Sequence, residues 1–424
     1  MAVVTLLKVF EHEKLLIDDV FTKDYWIALG QYNQENGNKY FTLLHNGIKF
    51  KEYVGVIQVG NLTIEILPKI DKDETDKDKW QGVLISMLQT CYWMNVQTHQ
   101  KAPLRIKHNS ILDAYLELYL NQCEEILHHG LVKKYKTLTG NLNSLKGKLL
   151  FSQHILKNLI HKERFYVENK VFNIENVYNQ ILYKALKLIP YFSSSIHIKD
   201  KVSRLLFDFP EMADIKVNIK TFDNLQWDRK TLHYKDAIDI AAMLLLNYRP
   251  DIKGGSKNML AILFDMNELW EEYLYRQIKK NIPREWSIAT HRKKTFWSTV
   301  SATSNKVIIP DIVINTSVSD PQRNIIIDTK WKIPDSNIPA DDDLKQMYVY
   351  NRYWQSQTAL LVYPSPSFSV EPLYNAGVFA KEGDNSLLNS CGVVKISVLA
   401  DDNAILDRNM GKRFCDFIVD NILK

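Results

Sequence analysis

The densest apolar signal in the chain lies between Asn305 and Lys332, NKVIIPDIVINTSVSDPQRNIIIDTKWK. Two β-branched runs, Lys306–Asn315 and Asn324–Lys330, flank a polar, turn-rich segment from Thr316 to Arg323. The pattern predicts two strands joined by a turn. Both runs are apolar nearly throughout rather than alternating, which predicts strands covered on both faces. Upstream, the short runs Val3–Phe10, Tyr40–His45, Gly55–Val59 and Leu62–Ile66 are separated by Asn36-Gly37, Asn46-Gly47 and Gly60-Asn61. Such punctuation predicts a small N-terminal β domain over residues 1–75, an antiparallel barrel or sandwich. The mixed-charge run from Asp71, DKDETDKDK, reads as a solvated connection, since it lacks the glycine and closing glutamate of a calcium loop.

The period then changes to that of helices. Apolar positions predict helices over Asp78–Trp93, Ser110–His129, Glu175–Pro190 and Ala237–Tyr248. In the second of these Ile111, Leu112, Tyr115, Leu116, Tyr119, Cys123, Ile126 and Leu127 share one face, and Gly130 suits the position after the C-cap. A basic strand, Leu131–Thr139, and a turn followed by helix within Gly140–His161 interrupt them. Residues 76–250 therefore read as mainly helical with β insertions, and Asp251–Asn258 (DIKGGSKN) as a linker. Beyond it the pattern predicts a helix from Met259 to Lys280, the two-stranded stretch, a helix Asp341–Gln355, strands Thr358–Tyr363 and Val393–Ala400, and a helix Arg408–Leu423. Residues 258–424 form an expected α/β domain. The fold class is α+β and multidomain.

Composition adds bounds. The chain has 424 residues, 46% hydrophobic and 24% charged, which suits a soluble protein of two or three domains. A net charge of +5 is compatible with nucleic acid without being diagnostic of it. Cys91, Cys123, Cys391 and Cys415 show no paired spacing, which argues against a zinc site and a disulfide framework and points to a reducing, cytoplasmic setting. Charges fall too early for a signal peptide, and no apolar run reaches the length of a membrane span. No phosphate-binding loop of the G-x-x-x-x-G-K-[ST] type occurs, so no nucleotide is expected on this chain itself.

The candidate chemistry sits in the apolar hairpin. Asp311, Asp328 and Lys330 are placed inside it, where charge is costly unless compensated. Two carboxylates on adjacent strands can share a hard divalent cation, and the carbonyl of Thr329 lies between their side chains. Lys330 projects from the same face as Asp328, because strand side chains repeat every two residues. This P-D…D-x-K arrangement resembles the PD-(D/E)xK nuclease signature. On the preceding helix Glu271 and Glu272 flank the apolar arc on opposite edges, so either is a candidate for a further carboxylate. Gln346 and Tyr350 form an i, i+4 pair on the later helix. Arg292, Lys293 and Lys294, with His291 before them and Phe296 and Trp297 after, suit a DNA backbone.

The order of these blocks is more specific than any one of them. GVIQVGNLTIEILPKID, GLVKKYKTLTGNLNSLKGKLLFSQHILKN, NVYNQILYKAL, FDMNELWEEYL, VIIPDIVI, IIIDTKWK and KQMYVYNRYW together resemble the McrC family, the nuclease subunits of McrBC-type modification-dependent restriction systems. The resemblance implies a C-terminal Mg²⁺-dependent endonuclease with Asp311, Asp328, Lys330, Glu271, Gln346 and Tyr350 in the catalytic set. It implies one or two Mg²⁺ on Asp311, Asp328, Thr329 and Glu271, and favours Glu271 over Glu272. It further implies docking on a McrB-like AAA+ GTPase hexamer whose hydrolysis the chain stimulates. In that division of labour the partner reads modified cytosine in double-stranded DNA. Lys133, Lys134, Lys136, Lys146 and Lys148 are basic candidates for the partner contact. A catalytically silent scaffold and a stand-alone repair nuclease are the alternative readings.

Overall fold

The computed structural model describes residues 5–71, 73–93, 110–249, 258–301, 304–317, 320, 323–332, 338–365, 367–380, 389–400 and 406–423. The chain divides into two compact units. One comprises Gln58–Asn61 and the described part of Leu104–Ile262; the other comprises Thr5–Ile57 and the described parts of Leu62–Pro103 and Leu263–Lys424. The N-terminal segment thus clusters with the C-terminal third.

The N-terminal segment runs β1 (Thr5–Phe10), β2 (Lys14–Leu16), α1 (Lys23–Glu35), β3 (Phe41–Leu44), β4 (Gly47–Phe50), β5 (Tyr53–Val59), β6 (Leu62–Leu67) and α2 (Lys77–Leu88). An antiparallel barrel or sandwich does not form. β1 pairs with β6 in parallel, and a separate antiparallel trio, β2-β4-β3, stands with a helix that the β reading omitted. In α1 only Ala28, Leu29, Gly30, Tyr32 and Asn33 are buried. Its apolar stripe is short and broken by glycine, so periodicity hides it. Asn33 anchors it instead, donating to the Phe41 carbonyl at 2.6 Å.

The middle of the chain runs α3 (Ile111–His129), β7 (Lys134–Leu142), β8 (Lys148–Leu149), α4 (Phe151–Lys157), β9 (Phe165–Asn173), α5 (Val177–Leu188), α6 (Ile196–Asp208), α7 (Ile219–Asp223), α8 (Lys235–Asn247) and β10 (Tyr248–Arg249). It is mainly helical with β insertions, as the pattern predicts. Ser110 caps α3 by accepting from Asp113 N at 3.1 Å, and Gly130 takes φ +87° after it. The Tyr119 hydroxyl donates to the Leu182 carbonyl at 2.7 Å, tying α3 to α5. β7 and β9 form a long antiparallel ribbon from Lys134 opposite Asn173 to Leu142 opposite Phe165. The expected linker lies outside the described residues except for Asn258.

The remainder runs β11 (Met259–Asp265), α9 (Met266–Asn281), β12 (Ser287–Thr290), β13 (Lys294–Ser298), β14 (Asn305–Ile308), β15 (Ile312–Asn315), β16 (Asn324–Thr329), α10 (Asp341–Trp354), β17 (Thr358–Ser365), β18 (Leu373–Asn375), β19 (Ser390–Ser397) and α11 (Met410–Asn421). Two expectations need correction. Met259–Asp265 is a strand rather than the first turns of a helix. Its Met, Leu and Ala favour a helix, but β pairing of a buried run overrides propensity. The run Lys306–Asn315 is two strands, because Pro310 supplies no N–H to a ladder. β14 pairs with β13 in a ribbon of its own, while β15 joins a six-stranded sheet in the order β12-β15-β16-β17-β19-β18. There β15 is antiparallel to β16, and β16, β17 and β19 are mutually parallel. Met347, Tyr350 and Trp354 of α10 pack on Ile326, Ala359 and Leu361 of that sheet. α11 crosses α9 so closely that a Cβ at Gly411 would meet the Gln277 carbonyl oxygen at 2.0 Å. All four cysteines are buried and free.

Candidate active site

The break at Pro310 decides where Asp311 stands. It leaves the aspartate at the mouth of β15, beside the end of β16. Asp311 Oδ2 accepts from Thr329 N at 2.7 Å and from the Thr329 hydroxyl at 2.9 Å. The Tyr350 hydroxyl donates to the Ile309 carbonyl at 2.7 Å and accepts from Gln346 Nε2 at 2.8 Å. Tyr350 is therefore core, and with Gln346 it pins the backbone two residues before Asp311.

One residue further on β16 than Ile327, Asp328 is almost wholly buried. Lys330 Nζ lies 2.5 Å from Asp328 Oδ2 and 3.8 Å from Asp343 Oδ1. Asp343 also holds Lys332 at 2.8 Å. Glu271 on α9 completes the cluster. Its Oε1 is buried without a hydrogen-bond donor, and the His291 imidazole Nε2 lies 3.6 Å from it. Glu272 turns to Arg276 at 2.5 Å instead. The structure thus brings Asp311, Asp328, Lys330, Glu271 and Thr329 together and leaves Glu272 out.

Burial and repulsion between neighbouring carboxylates disfavour the charged forms in this cluster. Burial, then Asp311, pushes Asp328 up to about 7 against the pull of Lys330. Burial, then Asp311 and Asp328, pushes Glu271 up to about 8. Asp311 is raised by burial, which outweighs the Thr329 hydrogen bonds and the nearby Lys330 and His291. Burial alone would lower Lys330, but Asp328, Asp343 and Asp311 win and raise it. Carboxylates that share a pocket in this way titrate together.

The donor set fits a hard cation. It is all oxygen, and two buried carboxylate oxygens, Glu271 Oε1 and Asp328 Oδ2, have no hydrogen-bond donor among the described residues, the latter facing only the Lys330 ammonium. Among the described residues no three His, Cys, Asp or Glu side chains form a ready cage. Mg²⁺ does not need one, since it keeps waters and binds through one or two carboxylates plus substrate phosphate.

Arg292 and Lys293 are exposed at the foot of the β13–β14 ribbon. Lys294 is partly committed, donating to the Tyr353 carbonyl at 2.5 Å and lying 4.8 Å from the Trp354 ring centroid. Phe296 is 47% and Trp297 53% exposed. In the middle region Lys134 pairs with Asp228 at 2.6 Å and Lys136 with Glu175 at 3.2 Å, while Lys133, Lys146 and Lys148 are exposed. The sequence pattern assigned Asp343 no place in the site, and His291 entered only beside a basic run.

The chain matches the family described as McrBC 5-methylcytosine restriction system component over residues 48–364. It belongs to that family. The McrBC fold is found again in a solved assembly of Thermococcus gammatolerans McrB AAA+ hexamers with bound McrC. A chain of that assembly is 20% identical with a TM-score of 0.68, over 98% of this chain and 100% of that one. A second, from the cryo-EM structure of the T. gammatolerans McrBC complex, is 20% identical with a TM-score of 0.51, over 66% of this chain and 89% of that one. No curated protein matches. Among the described residues no helix is long and apolar enough to cross a membrane.

Proposed function

We propose that this McrBC component is the DNA-cutting subunit of its restriction complex, a Mg²⁺-dependent endonuclease of the PD-(D/E)xK type. The observation that carries the reading is the buried cluster of Asp311, Asp328 and Glu271, all raised first by burial and Asp328 and Glu271 further by Asp311, with the Lys330 amine 2.5 Å from Asp328. A buried patch of like charge is expensive as fold and useful as a cation site. Asp311, Asp328, Glu271 and the Thr329 carbonyl would hold one or two Mg²⁺, which supply Lewis-acid activation of water and charge neutralisation.

The chain's own residues do the rest. Lys330 stays an ammonium, because its three carboxylate neighbours raise it. It therefore serves as a fixed positive charge that orients the attacking water or offsets charge on the phosphorane, not as a general base. Thr329 fixes the Asp311 carboxylate, and Gln346 and Tyr350 act on the same aspartate through Ile309. They are positioning residues. The β13–β14 ribbon extends DNA contact outward from the site. Its first strand begins three residues after His291, which lies beside Glu271, and its second ends three residues before Asp311. Residues 287–310 contain no acidic side chain, so Arg292 and Lys293 with the exposed aromatics offer a basic edge to phosphate, with Lys294 partly committed to the Tyr353 carbonyl.

The partner in this reading is a McrB-like AAA+ GTPase hexamer, which would recognise the modified cytosine and translocate the duplex. Support comes from the Thermococcus assemblies, and from the exposed apolar residues of the middle region. Tyr135, Phe151, Ile155, Leu156, Leu159 and Ile160 are each more than 60% exposed on or near the β7–β9 ribbon, and surface of that kind marks protein interaction sites. The test is cleavage of methylated duplex by the reconstituted complex with Mg²⁺ and nucleotide. Wild type cuts only with the AAA+ subunit present, and Asp328→Ala loses activity by about 10³-fold or more. A wild type that stimulates nucleotide hydrolysis without cutting, or an Asp328→Ala variant that still cuts, overturns the reading.

A further inference from the structure

Most of the N-terminal segment belongs to the same compact unit as the carboxylate cluster, and one side chain reaches from it to the residue that follows Lys330, just past the end of β16. Glu11, directly after β1, is 2% exposed. A single oxygen, Oε1, accepts from Lys69 N at 2.7 Å and from the Trp331 indole Nε1 at 2.7 Å. Trp331 is the residue after Lys330. Its ring lies 5.5 Å from that of Trp270, the neighbour of Glu271, and its backbone N donates to Asn267 Oδ1 at 3.4 Å. Both of those partners are on α9. The first turn of α9 is itself held to the N-terminal segment, Met266 N donating to the Glu52 carbonyl at 2.9 Å.

Trp331 is therefore a bracket between the end of β16 and α9, and Glu11 sets its orientation. A buried carboxyl is a costly way to hold an indole N–H, since neighbouring Asp265 and Glu52 add to the burial that holds its proton on, up to about 8. Simple core filling would use an apolar side chain here. We propose that Glu11 is a positioning residue of the nuclease, acting through Trp331 to fix where the Lys330 ammonium stands between Asp328 and Asp343. The inference rests on the nuclease reading above.

The test uses the full chain assembled with its AAA+ subunit. Single-turnover cleavage, affinity for duplex DNA, stimulation of nucleotide hydrolysis and melting temperature are measured for Glu11→Ala, Glu11→Gln and Trp331→Phe. Glu11→Ala and Trp331→Phe slow the cleavage step about tenfold or more while DNA affinity and stimulation stay within about twofold. Glu11→Gln recovers most of the rate, because its side-chain oxygen accepts both hydrogen bonds. Wild-type cleavage by Glu11→Ala, or equal damage from Glu11→Gln, overturns the inference. So does loss of binding, stimulation and cleavage together, which marks a purely structural role. Asp328→Ala, run alongside, separates the two claims: if it cuts, the nuclease reading and this inference both fall; if it is dead while Glu11→Ala is fully active, this inference alone falls.

Discussion

At the scale of single residues, the site is a problem of charge without enough compensation. Asp328 and Glu271 carry pKa values raised to about 7 and about 8. The sign of the consequence follows from linkage: the folded chain holds protons that the unfolded chain has released. That stability is fully present below the unfolded carboxylate range and is lost as pH rises through the folded values. Metal-free protein therefore melts at falling temperature from about pH 5 to about pH 8, and Asp328→Asn flattens that slope. Saturating Mg²⁺ reduces it too, because cation replaces proton. Thermal melts across pH, with and without Mg²⁺, check this; a slope untouched by either change contradicts it. Asp311, Asp328 and Lys330 were legible in the sequence because charges stand out inside an apolar run and a period of two puts Asp328 and Lys330 on one face. The Glu11–Trp331 hydrogen bond was not, since the two are separated by 320 residues and neither belongs to a local pattern.

Elements explain why that legibility ended where it did. The sheet strands and α10 follow from continuous apolar runs and a clear helical face. Three features did not. Pro310 splits one apparent strand into two that belong to different sheets, an outcome of hydrogen-bond supply that apolarity cannot reveal. Met259–Asp265 has helix-favouring residues, yet its last carboxylate caps α9: Asp265 accepts from Asn267 N at 2.9 Å. The helix α1 relies on a buried asparagine more than on a stripe. The split at Pro310 leaves β13–β14 as an exposed ribbon, which the proposed function assigns to DNA contact. Removing the Lys293 and Trp297 side chains together (Lys293→Ala, Trp297→Ala) weakens duplex binding. It also lowers the slope of log K against log salt by about 0.9 for every phosphate that is no longer neutralised. Anisotropy titrations at several salt concentrations measure it. Unchanged affinity and slope remove the ribbon from the DNA path.

For the whole molecule, the order of blocks along the chain was enough to point to the McrBC family, because it samples widely separated positions. The grouping of the N-terminal segment with the C-terminal third was not readable, since a unit assembled from distant stretches has no sequence signature. That grouping places the proposed site in the unit that contains Thr5–Ile57 and the described parts of Leu62–Pro103 and Leu263–Lys424. The account as a whole turns on whether the cluster grips a divalent cation. Calorimetric titration of Mg²⁺ into the full chain near pH 7, repeated in buffers of different ionisation enthalpy, asks this directly. The account predicts binding accompanied by release of about one proton, with both binding and release abolished in Asp328→Ala. Equal binding by Asp328→Ala, or no binding by wild type, would contradict it.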